Sequence, residues 1–94
     1  MQSAIDCGLV LQYVKEIQCQ AVVANSGINV KPAIEAVVDK ACKYFLDADG
    51  NVGRIHIRIF KNELVHRTTY LSNPQHEYRK ALKYAIALIS LNEV

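Results

Sequence analysis

No part of this chain approaches the roughly 20 consecutive apolar residues that a membrane-spanning helix requires. Its first stretch, "MQSAIDCGLVLQYVKEIQC", has no basic start before the apolar part, which Asp6 and Lys15 bracket, so a signal peptide is not expected. These two absences predict a cytoplasmic protein with no membrane partner. Also missing is any Cys-x-x-Cys spacing. Cys7, Cys19 and Cys42 are odd in number, whereas a disulfide framework wants an even count and a secreted setting. No histidine lies within ten residues of any of them to serve as a base for a reactive thiol. All three are expected to pack as small hydrophobes, with Cys42 on the apolar stripe of its helix.

Chemistry is under-declared in the same way. There is no glycine-rich phosphate loop, no nucleophile elbow and no carboxylate pair on an apolar background, so no enzymatic activity is expected. "DADGN", from Asp47 to Asn51, resembles the start of a calcium loop. Its glycine falls two positions early, however, and Arg58 stands where a bidentate Glu belongs, so a helix stop is the better reading. His56, His66 and His76 recur at ten-residue intervals without the H-x₃₋₅-H spacing of a zinc site. Neither a metal nor a cofactor is expected. Internal repeats and low-complexity linkers are absent too.

What is present fits one globular domain. The 94 residues are 51% hydrophobic and 21% charged, enough apolar material for a single core. A first helix is predicted from a cap near Ser3, paired with Asp6, to the "NSG" turn at Asn25–Gly27. Its apolar positions are Cys7, Val10, Val14, Ile17, Ala21 and Ala24, in steps of three and four. A second helix starts at Pro32 and carries Ile34, Val37, Val38, Ala41, Cys42, Phe45 and Leu46 on one stripe.

"GRIHIRIFKNELVHR" then changes the period. Ile55, Ile57 and Ile59 alternate with Arg54, His56 and Arg58, which predicts a β-hairpin. Its strands would run from about Arg54 to Phe60 and from Leu64 to Leu71, with Lys61 and Asn62 at the turn. A last helix follows a cap at Asn73 and Pro74 in its first turn. Its apolar arc is wide: Tyr78, Leu82, Ala85 and Ile89 form one stripe, and Ala81, Tyr84, Leu88 and Leu91 form a second. The predicted fold class is therefore α+β, in the order α-α-β-β-α.

Charge is unevenly spread. Residues 1–50 carry four lysines against six acids, whereas residues 51–94 carry seven Lys and Arg against three acids and hold all the histidines. On the predicted hairpin the isoleucines would face the core, turning Arg54, His56 and Arg58 outward beside Lys61 and Arg67, with Arg79 and Lys80 on the next helix. Such a face can fork onto phosphates or base edges, or meet an acidic protein. "QAVVANSGINVKPAIEAVV" has the outline of a helix–turn–helix, and a hairpin after it would make a winged-helix-like order.

The expected function is thus a small binding or regulatory protein that contacts nucleic acid through this basic Arg/His face. The alternative is a protein–protein module, an inhibitor or adaptor, offering the same face to an acidic partner. An open two-stranded sheet and a doubly apolar last helix also predict a homodimer with Tyr84, Leu88 and Leu91 at its interface.

Overall fold

A computed structural model describes residues 5–70 and 76–93. They form four helices, α1 (Cys7–Ala24), α2 (Lys31–Ala48), α3 (Gly50–Thr69) and α4 (His76–Leu91), with no strand among the described residues. The proposed caps at Ser3 and Asn73, Pro74, and the Leu71 end of the expected second strand lie outside the described residues.

In α1, the Asp6 carboxylate accepts the Leu9 N–H at 2.9 Å and so caps the first turn. The buried face is Val10, Tyr13, Val14, Ile17, Ala21 and Ala24, the expected stripe with Tyr13 in place of Cys7. The helix closes through a turn at Asn25–Gly27, where Gly27 adopts φ 84°, a left-handed conformation that glycine takes without a Cβ penalty. Pro32 sits in the first turn of α2, which buries Ile34, Val38, Ala41, Cys42 and Phe45. Lys43 pairs with Asp47 at 3.0 Å, one turn further along the exposed face.

The segment expected to form a hairpin is a 20-residue helix, α3. Its buried positions, Gly53, His56, Ile57, Phe60, Leu64 and Thr68, advance in steps of one, three and four, which is helical phasing. The α-α-β-β-α, α+β reading is therefore corrected to all-α. The strands Arg54–Phe60 and Leu64–Leu71 and the Lys61–Asn62 turn do not occur among the described residues, and with them go the basic hairpin face and the wing of a winged-helix order. Moreover, a winged-helix order needs one more helix before the hairpin, which the first helix would supply only by breaking near Gln18, and α1 runs unbroken from Cys7 to Ala24.

The physical reason lies in the sequence between the supposed strands. From Arg54 to Asn73 there is neither glycine nor proline, and Lys61-Asn62 is a poor hairpin turn without a glycine beside it. Once the helix continues through Asn62, only Ile57 of the three alternating isoleucines stays inside, 1% exposed, whereas Ile55 is 49% exposed.

The corner between α2 and α3 is a single residue. Asp49 is extended (φ −167°, ψ 108°); its N–H donates to the Phe45 carbonyl while its carboxylate accepts from Asn51 and Val52 N–H, closing one helix and opening the next. So tight a corner brings the start of α3 against the last turn of α2. Gly53 faces the Phe45 carbonyl there, with no room for a Cβ.

All four helices touch one another around a core whose largest fully buried side chains include Phe60, Ile17, Ile34, Ile57, Leu64, Leu82 and Ile89. Tyr13 meets Phe45 edge-on at 5.6 Å and lies 6.3 Å from Phe60, ring centre to ring centre.

The cysteines divide. Cys42 is buried as expected, but Cys7 and Cys19 are exposed on the outer face of α1. Burial, reinforced by nearby Asp39, pushes the Cys42 thiol up to about 11. Ellman's reagent at pH 8 is accordingly expected to titrate two thiols at once and the third only on denaturation. Because the folded state favours the neutral thiol, this contribution to stability is intact below the ordinary thiol range and fades as pH rises through about 11. Three equally slow thiols would contradict this arrangement of α1.

Candidate binding face

Helical phasing regroups the predicted basic residues. Arg54, Arg58 and Lys61 recur at i, i+4 and i+7 on α3, which puts them on one face beside the C-terminal end of α4. Lys61 pairs with Glu93 at 2.6 Å and Arg58 reaches the same carboxylate at 3.7 Å. Arg54 has no hydrogen bond or ion pair with any described residue and is exposed. Two of the three cations therefore share one acid, and the third stands without one among the described residues. Between α3 and the end of α4 runs a groove of about 490 Å³, lined by Arg54, Arg58, Asn62, Glu93 and the side chains of Ile55 and Ile59.

His56 is not on that face. It is 7% exposed and stacks on Phe45 at 4.9 Å with the rings almost parallel. Its Nε2 accepts the Asp6 N–H at 2.8 Å, so its Nδ1, 3.0 Å from the Val52 carbonyl, carries the proton and donates. His56 ties the start of α1 to α3; it is a structural residue with both ring nitrogens engaged.

Arg67 lies further along α3 and turns toward α1. Its Nη1 donates to Gln18 Oε1 at 3.3 Å, Gln18 donates onward to the Tyr78 hydroxyl at 3.1 Å, and Glu63 lies 3.6 Å from its Nε. This bridge joins three helices and removes Arg67 from the basic face. Arg79 is half-buried on α4, with an Nε that meets no partner among the described residues, and Lys80 faces Glu77 at 3.9 Å. Neither adjoins the groove beside Arg54.

The three residues expected at a dimer interface also have separate surroundings. The Tyr84 hydroxyl donates to Glu35 on α2, and this bond to a carboxylate raises the tyrosine above the usual phenol range. Leu88 is half-buried against the core, whereas Leu91 is 71% exposed.

Sequence reasoning found Arg54, Arg58 and Lys61 but missed Glu93, Ile55 and Ile59 as their neighbours. The helical spacing of those three cations was the available signal. No helix among the described residues is long and apolar enough to cross a membrane, nor do they bring together three or more side chains that could hold a metal ion. The fold and this face define a small four-helix domain with a basic, isoleucine-lined groove. No family model, curated protein or solved structure matches the chain.

Proposed function

We propose that this is a non-enzymatic binding module whose α3 face takes an acidic protein segment. One observation carries the reading: Arg54 and Arg58 flank a groove in which Ile55 and Ile59 offer apolar contact, and Glu93 offsets only part of the positive charge. Arginine is enriched in protein interfaces, and apolar side chains between the charges give a partner something to bury. A phosphate backbone would use the arginines but leave those isoleucines without a counterpart. Nucleic acid, the earlier expectation, keeps the cations but loses the hairpin on which direct groove reading rested. Self-association rests on Leu91 and is a separate proposal, checked by light scattering of the Leu91→Glu variant.

Two probes test the reading by chemical-shift mapping, a peptide alternating glutamate with leucine and a short DNA duplex. The peptide is expected to perturb the Ile55 and Ile59 methyls. The double substitution Arg54→Gln, Arg58→Gln should weaken it by about tenfold or more, since hydrogen bonds to charged groups contribute about 1.5–3 kcal/mol each. Folding should be unchanged, because exposed ion pairs contribute only about 0–1 kcal/mol. Duplex binding with a steep linear fall of log affinity against log salt would favour nucleic acid instead. Wild-type affinity of the double variant for both probes would leave this face with a solubilising role alone.

A further inference from the structure

A second concavity lies at the opposite end of α4, where that helix begins beside the end of α1 and the start of α2. It encloses about 350 Å³ and is lined by Ala24, Ile28, Val30, Ile34, Ala81 and the Tyr84 ring, with Lys31, Lys80 and Lys83 among its polar residues. Its floor is the core itself: Ile34 is fully buried, and Ala24, Val30 and Ala81 are at most 7% exposed. Ile28 stands on the wall, 57% exposed, on the turn between α1 and α2.

The polar groups are arranged asymmetrically. The acids of the region are engaged, Glu35 by the Tyr84 hydroxyl and Glu77 by Lys80. Lys31 has no carboxylate partner among the described residues; its ammonium lies over the Tyr84 ring, 5.2 Å from the centroid. Lys83 has no charged or hydrogen-bonding partner among the described residues. Two lysines are thus uncompensated where the groove meets solvent. The Glu35 bond holds the ring that forms one wall and steadies Lys31 above it.

A mostly apolar hollow with a few convergent polar groups is the usual form of a small-ligand site, and its size is near the lower end of the roughly 300–1,000 Å³ such sites span. From this juxtaposition we infer that the groove between α1, α2 and α4 binds a small amphipathic anion, a free carboxylate with a short aliphatic body. The aliphatic part lies on Ile28, Ala81 and the Tyr84 ring, above the buried Ile34, and the carboxylate meets Lys31 and Lys83. The site is separate from the α3 face and does not depend on the function proposed for it.

The test uses octanoate below its micellar range, octanol as the neutral analogue and acetate as the tail-less one, on the whole chain. Octanoate is expected to shift the Ile34 and Ala81 methyls in a saturable way, at least tenfold more tightly than either control. Lys31→Gln with Lys83→Gln should cut octanoate affinity about tenfold and leave octanol unaffected. Ile28→Asp, a substitution in an exposed turn, should abolish binding without unfolding the protein. Equal binding of octanoate and octanol, shifts centred elsewhere, an unchanged affinity in the lysine double variant, or no saturable shift at millimolar octanoate would each overturn the inference.

Discussion

Substituting Gly53→Ala is expected to destabilise the protein by about 2–3 kcal/mol, although alanine is the better helix former. Inside α3 the exchange should by propensity alone gain about 1 kcal/mol. Against that stands the crossing with α2: a Cβ at position 53 would run into the carbonyl of Phe45 and lie 3.0 Å from the Leu46 nitrogen. Backbone cannot rotate away as the tip of a side chain can, so the two helices must separate; overpacking typically costs about 1–3 kcal/mol and occasionally more, and a clash with a backbone carbonyl is expected to reach about 3–4 kcal/mol. Thermal unfolding should report it as a fall of roughly 10–20 °C, at about 4–8 °C per kcal/mol for a chain of this size. Gly50→Ala is the internal control. Among the described residues, nothing beyond its chain neighbours and its own helical turn lies within 4 Å of a Cβ built there, so it should be neutral or slightly stabilising. Equal melting temperatures for the two variants would mean that the α2–α3 approach is looser than described.

The second large effect separates two isoleucines two residues apart. Ile57→Ala should cost about 2–5 kcal/mol, because Ile57 is 1% exposed and its removal leaves a cavity in the core. Ile55→Ala should cost well under about 1 kcal/mol, as expected for a surface position 49% exposed. On a hairpin both would point to the same face and suffer alike. Urea denaturation of the two variants therefore decides between helix and strand for this segment; matching midpoints would restore the strand.

That pair also shows why α3 was misread while its neighbours were not. On α1 and α2 nearly every buried position is apolar, so the helical stripe stands out in the sequence. On α3 the buried face includes Gly53, His56 and Thr68, which a hydropathy reading assigns to turn or surface. Only Ile57, Phe60 and Leu64 remain visible, and the exposed Ile55 and half-exposed Ile59 complete a false alternation with Ile57. Thr68 is tolerated inside because its hydroxyl donates to the Leu64 carbonyl at 2.8 Å, and His56 because both ring nitrogens are engaged. Neither bond can be seen before the chain is folded. The basic cluster was legible in kind, but its membership was not. Phasing decided that Arg54, Arg58 and Lys61 stay together, that His56 goes in and that Arg67 turns to Gln18.

The one-residue corner at Asp49 sets the rotational phase of everything after it. A helix turns by about 100° per residue, so one residue added after Asp49 would rotate α3 by that angle against α2. The edge that now carries Ile57 and Phe60 would swing toward solvent, and cations now outside would be carried toward the core. In the connection from Asn25 to Val30 the residues up to Asn29 are exposed and can take up such a change; the corner is a single residue and cannot. Length variation at these two sites should therefore follow opposite rules. The α1–α2 turn is open to insertion, while the chemistry displayed along α3 is indexed to the core by a single peptide unit.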